Sequence, residues 1–127
     1  IYNDRSLMER KVCREEDCAL TVLATVVSTP TPQRAVVDAG SKVLTTDLFG
    51  LTGHGHIVDH AQLTISQLSE EHACIVSDGP TGLSIGQKVR IIPNHACVVS
   101  NMVDEVVFVD GCKVLKSQSV VARGKVL

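Results

Sequence analysis

Aromatic side chains are nearly absent from this chain, at 2% of 127 residues with no tryptophan. A core without large rings has to be filled by Val, Ile, Leu and Ala, and apolar residues make up 44% of the sequence. That length suffices for one domain with a real core and is too short for two. No apolar run approaches the ~20 residues that a membrane-spanning helix needs, so no membrane partner is expected. A net charge of −2 lacks the concentrated basic surface that nucleic acid or an anionic bilayer requires, so no nucleic-acid partner is expected either. The amino terminus, Tyr2-Asn3-Asp4-Arg5-Ser6, is polar and charged, and no secretory leader is read there. The five cysteines, Cys13, Cys18, Cys74, Cys97 and Cys112, contain no CxxC pair. An odd count without a leader reads as reduced thiols in a cytoplasmic protein, most of them small buried hydrophobes. The glycine signatures of dinucleotide binding, of the P-loop and of the hydrolase nucleophile elbow are also missing, which removes those three functions as motif-supported readings.

What is present is a succession of short β-branched segments. Residues 4–18 are charged and predict a short helix or an irregular lead-in. Cys18–Ser28 reads as a strand that Thr29-Pro30-Thr31-Pro32-Gln33 breaks, because proline fixes φ and removes a donor. Arg34–Asp38 is a second strand ending in a turn at Ala39-Gly40-Ser41-Lys42. A glycine-rich loop over 47–55 precedes strands at Gly55–Asp59, Leu63–Leu68 and Ala73–Ser77. Asp78-Gly79-Pro80-Thr81-Gly82 is a strong turn signal. Lys88–Ile92 leads into a strand carrying His95 and Cys97, and Glu105–Asp110, Gly111-Cys112 and Lys113–Val121 form a hairpin. Many short strands without a sustained 3.6-residue period predict an all-β (mainly β) fold, a barrel or sandwich.

The segment Ile91-Ile92-Pro93-Asn94-His95-Ala96-Cys97-Val98-Val99 is the richest chemically. In a strand, residues i and i+2 share a face, ~6.5–7 Å apart. One imidazole and one thiolate then converge on a single metal, leaving positions open for water or substrate as a catalytic metal needs. Spacing alone favours two buried core residues over a metal pair. His54 and His56 repeat the i, i+2 pattern, with His60 and His72 as further donors, although a solvated glycine-rich turn accounts for them as well. Asp38-Ala39-Gly40-Ser41-Lys42 ends a strand in a polar cluster where Gly40 allows positive φ and close approach of a ligand, or simply makes an Asx-type turn. Glu70-Glu71-His72 is either an acid–base trio or a solvated edge.

Taken together and in order, several segments resemble a known family. They are Glu15–Ser28, Asp38–Lys42, Gly53-His54-Gly55, Leu68–His72, Gly86–Cys97 and Ala122-Arg123-Gly124-Lys125. They resemble the carboxy-terminal domain of D-threonine aldolases and eukaryotic-type D-serine dehydratases, which are metal-activated pyridoxal-phosphate (PLP) enzymes of the alanine-racemase fold type, fold-type III. The resemblance implies a β-rich domain that follows a (β/α)8 barrel. It implies residues 1–14 as the tail of that missing barrel and lead-in, and 15–127 as the β domain. It maps the family's metal pair onto His95 and Cys97, with a divalent zinc or manganese ion, and places Asp38, Ser41, Lys42, His54 and His72 in the substrate or cofactor neighbourhood. The Schiff-base lysine is absent from this chain, so PLP belongs to the full-length enzyme only and no catalytic residue is assigned here. The implied activity is a lyase on a small D-β-hydroxy amino acid, either retro-aldol cleavage to glycine and an aldehyde or dehydration to a 2-oxo acid. The alternative is a non-catalytic stand-alone β domain serving dimerisation or metal binding. A homo-oligomer, a dimer, is expected. A racemase is disfavoured, because the only tyrosine, Tyr2, lies outside the β domain proper.

Overall fold

The computed structural model describes residues 2–125. A short helix α1 (Arg5–Glu9) and a 3-10 turn (Glu15–Asp17) lead into the strands β1 (Val22–Thr31), β2 (Arg34–Val37), β3 (His56–Ile57), β4 (Thr64–Leu68), β5 (Ala73–Val76) and β6 (Lys88–Ile92). These six form one sheet in the order β3-β6-β1-β2-β5-β4, with every pairing antiparallel. The two ends of that sheet curl toward each other, and the His54 N–H donates to the Ile65 carbonyl at 3.1 Å. The result is a nearly closed, barrel-like all-β domain, as the strand spacing predicts. A two-stranded hairpin of β7 (Glu105–Asp110) and β8 (Lys113–Ser119) stands beside it, turning at Gly111-Cys112.

Alternation along the strands puts one apolar set inside. Ala24 and Val26 of β1, Ala35 and Val37 of β2, Ile65 of β4, Ala73 and Ile75 of β5, and Val89 and Ile91 of β6 are all buried. This is the aliphatic core that the lack of rings dictates. Small residues at Ala24, Ala35 and Ala73 face the larger Ile and Leu side chains, which lets a tight, strongly curved sheet fill its own interior.

Three sequence expectations are corrected. The strand expected to break at Thr29–Gln33 continues through Pro30 to Thr31. Along β1, β6 pairs only with Val22–Thr25, and beyond that β1 has a single neighbour, β2. An unpaired edge there needs no N–H from Pro30. The turn expected at Ala39–Lys42 is one turn of helix, α2 (Ser41–Leu44), with Gly40 before it. Gly40 has φ −98°, so its role is not positive φ. A Cβ there would lie 2.4 Å from the Glu70 carbonyl oxygen, so the close approach is to the chain's own backbone rather than to a ligand.

The third correction concerns His95 and Cys97. The strand ends at Ile92, and Ala96–Met102 is a helix, α3, with His95 as its N-cap at φ −138° and ψ 98°. The shared-face argument from strand geometry therefore does not apply to this pair. Pro93 ends the ladder, and the carboxylate of Asp4 accepts from the Ala96 N–H at 3.0 Å. The helix start is thus capped by a residue 92 positions away in sequence, a partner that no local pattern reveals.

Candidate functional site around His95

Buried polar side chains hold the segment that carries His95 and Cys97. Asp4 is 5% exposed and serves two helices. Its Oδ1 accepts from Ser6 Oγ (2.6 Å) and the Leu7 N–H (3.3 Å) at α1, while Oδ2 accepts from Ala96 at α3. Asn94 is 1% exposed. Its amide donates to the carbonyls of Asp47 and Gly53, both at 2.9 Å, and its Oδ1 accepts from Arg5 Nη1 at 3.4 Å. Arg5 also donates to the Gly53 and Gly55 carbonyls at 3.3 and 3.1 Å. The lead-in, the glycine-rich loop and the entry to α3 are therefore one hydrogen-bonded unit.

That unit presents Asp47 to His95. The Asp47 Oδ2 and His95 Nδ1 atoms lie 2.7 Å apart. Both side chains are partly exposed. With Nδ1 donating to the carboxylate, the tautomer is fixed and Nε2 keeps its lone pair. Phe49 meets the imidazole edge-on, with ring centroids 4.9 Å apart, which further restricts ring rotation. The loop backbone that places Asp47 and Phe49 is strained: Thr45 and Phe49 both have positive φ, 63° and 50°. Left-handed non-glycine residues cost energy and collect where surrounding structure imposes them. The Asn94 grip on the Asp47 carbonyl is such an imposition. Thr45 Oγ1 and His54 Nδ1 are buried without a hydrogen-bond partner among the described residues.

Cys97 sits in the first turn of α3 and is exposed. It borders a shallow groove of about 410 Å³ with Val98, Ser100, Asn101, Val120 and Ala122. Among the described residues, no group of three or more His, Cys, Asp or Glu side chains is arranged to hold a metal ion. The donors that this site offers are one oriented imidazole nitrogen and one exposed thiol. Such a set suits a borderline-soft divalent ion with open coordination positions. Asp47, which composition and spacing do not single out, occupies the supporting position that a metal-binding histidine characteristically requires.

The other candidates lie in separate polar clusters. Lys42 binds Glu70 and Glu71 at 3.2 and 2.6 Å, and the hydrogen bonds it donates to Glu71 and Glu70 raise its pKa above the ordinary lysine value. The Ser41 N–H donates to the Ser69 carbonyl at 2.8 Å, and the His72 carbonyl closes the same turn by accepting from the Ser69 N–H at 2.8 Å. Ser41, Lys42 and the turn bearing His72 are thereby joined, but Glu70 and Glu71 face Lys42 rather than forming a trio with His72. Asp38 accepts from the Thr25 N–H at 2.6 Å, and that bond pulls its carboxyl below the ordinary aspartate pKa. His54 is half-buried, and burial lowers its pKa, whereas His56 bonds Glu15 at 2.7 Å. Of the two imidazoles, His56 is the one given a side-chain hydrogen-bond partner among the described residues. None of Asp38, Ser41, Lys42, His54 or His72 hydrogen-bonds to His95 or Cys97 among the described residues.

Comparison with known proteins supplies the relatives. An uncharacterized protein of Mycobacterium tuberculosis is 41% identical, over 98% of both chains. The D-serine dehydratase of Dictyostelium discoideum is 33% identical over 80% of this chain and 29% of the enzyme. The crystal structure of D-threonine aldolase from Filomicrobium marinum superposes with a TM-score of 0.81 and 29% identity, covering 99% of this chain and 35% of that one. The chain thus spans about a third of the length of the two enzymes it matches. Residues 19–109 match the model of the putative serine dehydratase domain, and the chain belongs to that family.

Proposed function

We propose that this chain is the metal-binding β domain of a lyase acting on D-β-hydroxy amino acids, with His95 and Cys97 as the metal ligands. The observation that carries the reading is the 2.7 Å contact between Asp47 Oδ2 and His95 Nδ1. A carboxylate on one ring nitrogen orients the imidazole and raises the basicity of the other, the usual environment of a histidine that binds a metal. Cys97, one residue into α3, supplies the second donor as a thiolate. Two protein ligands leave coordination positions free, and a bound zinc or manganese ion would act there as a Lewis acid toward the substrate β-hydroxyl. PLP would be held by a barrel domain and supply the electron sink. This chain's own task is to fix the metal ligands, through Asp47, Asn94 and Asp4, at the face that meets that barrel. The groove beside Cys97 would border the substrate.

Metal titration tests the assignment directly. The chain should bind zinc or manganese stoichiometrically by calorimetry and elemental analysis, and His95→Ala and Cys97→Ala should each abolish that binding. Asp47→Ala should weaken affinity by roughly 10–100-fold while leaving the fold intact. Unchanged metal content in the purified His95 and Cys97 variants would sink the assignment. Turnover of D-threonine against D-serine by the complete gene product then separates aldolase from dehydratase.

A second reading is supported by the mycobacterial relative, an entire protein that this chain matches along 98% of its length. On this second reading, the present domain acts alone or with a separately encoded barrel, and binds metal without catalysing on its own. Stoichiometric metal binding, with turnover appearing only when a barrel is added in trans, distinguishes it.

A further inference from the structure

Cys13 and Cys18 lie outside the site described above, and their sulfurs are 4.0 Å apart. Both are free thiols, Cys18 buried and Cys13 half-buried. The turn between them holds the pair in place. The Arg14 N–H donates to Asp17 Oδ2 at 2.9 Å, and the Cys18 N–H donates to the Glu15 carbonyl at 3.1 Å. Asn3 clasps the Asp17 carbonyl at 3.0 Å, and Glu15 bonds His56 on β3 at 2.7 Å. The segment is therefore pinned to the sheet with its two sulfurs already in contact. A disulfide needs them at about 2.05 Å, a closure of ~2 Å that side-chain rotation in a surface turn can supply.

We infer that Cys13 and Cys18 form a redox-active thiol pair, which a hydroperoxide converts to an intramolecular disulfide. The two thiols have different roles. Burial, then the hydrogen bond that Cys18 makes to Cys13, push the Cys18 thiol up to about 12, so Cys18 is the shielded thiol of the pair. Cys13 is the thiol that meets the oxidant. Its thiolate attacks one peroxide oxygen; an S–O bond forms, the O–O bond breaks, and hydroxide leaves and is protonated to water. The Cys18 sulfur then attacks the resulting Cys13 sulfenic acid. An S–S bond forms, the S–O bond breaks, and the departing hydroxide takes the Cys18 proton as a second water. Two thiols and one peroxide thus give one disulfide and two waters. The ring closes the turn that carries Glu15 and Asp17, so oxidation fixes the lead-in against the sheet. This pair does not depend on the metal reading, since neither cysteine belongs to that site.

Peptide mapping of the chain tests it. The reduced protein is treated with stoichiometric hydrogen peroxide, alkylated and digested with trypsin without reduction. Cleavage after Lys11, Arg14 and Arg34 places Cys13 in Val12–Arg14 and Cys18 in Glu15–Arg34. The expected product is these two peptides joined, with Cys74, Cys97 and Cys112 alkylated. In the Cys18→Ser variant, Cys13 should instead be trapped by dimedone as the sulfenic acid. Recovery of both Cys13 and Cys18 as alkylated thiols, or linkage of Cys13 to a second molecule, would overturn the proposal.

Discussion

A single buried amide decides the geometry around His95. Asn94 uses both amide N–H groups on the carbonyls of Asp47 and Gly53, and its Oδ1 accepts from Arg5. Asn94→Ala takes the donor from the part-buried Asp47 carbonyl, while the Gly53 carbonyl keeps Arg5, and we expect a loss of about 1–2 kcal/mol in chemical denaturation. Freed from that grip, the Asp47 loop should relax from its positive-φ conformation, and metal affinity should fall together with stability. Asp47→Ala, by contrast, should lower affinity alone, because its carboxylate is partly exposed. His54 makes a different prediction. Burial lowers its pKa below the ordinary value of 6.5. The unfolded chain therefore takes up that proton at a higher pH than the folded one. Stability contributed by neutral His54 is fully present above about 6.5 and is lost as pH falls through the lowered folded value. Thermal melts of the parent should thus weaken on acidification across this window, and His54→Gln should show a flatter profile. Identical pH profiles for the two proteins would count against a buried neutral His54.

At the level of elements, the strands of the main sheet were legible and α1 fell in the expected lead-in, whereas α2 and α3 were not legible. Alternation at Ala24/Val26, Ala35/Val37 and Ala73/Ile75 is a period that a sequence states openly. The hairpin turn at Gly111-Cys112 is equally plain. The helix α3 was hidden because Ile91, Ile92, Val98 and Val99 are β-branched, a composition that favours strand. A helical signal does exist there, since Ala96 and Val99 are both buried three residues apart. It is too short to outweigh propensity, and the cap that starts the helix comes from Asp4. The candidate site divides the same way. His95 and Cys97 stand out by residue type and by resemblance, whereas Asp47 could be found only once the loop was folded. The helix α2 depends on Gly40 in a manner no pattern states. A Cβ at position 40 would meet the Ser69 and Glu70 carbonyl groups at 2.4–2.5 Å, and the obstacle is backbone. Gly40→Ala should therefore destabilise by about 1–3 kcal/mol, at the upper end of that range. The corresponding change at Gly79, where a Cβ meets nothing within 4 Å, should be close to neutral. Equal denaturation midpoints for the two variants would show that the chain near Glu70 yields to the added methyl.

The whole molecule leaves one part of itself uncovered. A hairpin of two strands is marginal in isolation, yet the β7–β8 pair is largely exposed along both strands. Val107, Phe108, Val109, Val114 and Leu115 are each at least 40% exposed. They are consecutive within each strand, so both faces of the hairpin carry apolar side chains. Its tip is fastened to the main sheet by Arg90, whose Nη2 donates to the Gly111 carbonyl at 2.8 Å. Beneath it lies an apolar cleft of about 380 Å³ that includes Leu20, Val22, Leu23 and Val43. A two-faced apolar ribbon over an incompletely filled cleft is a surface shaped for cover. In relatives such as D-threonine aldolase, a domain of this fold is about a third of a longer chain, and the proposed barrel is the natural cover. Expressed by itself, the chain should hide the ribbon by self-association. Its apparent mass in light scattering should rise with concentration, and the double substitution Val107→Lys and Leu115→Lys should shift it toward the monomer without lowering the melting temperature by more than a few degrees. A strictly monomeric profile of the parent chain at high concentration would show that the ribbon needs no partner. If the barrel domain, added in trans, abolishes self-association of the parent but fails to bind the doubly substituted chain, the two partners compete for the same apolar strands.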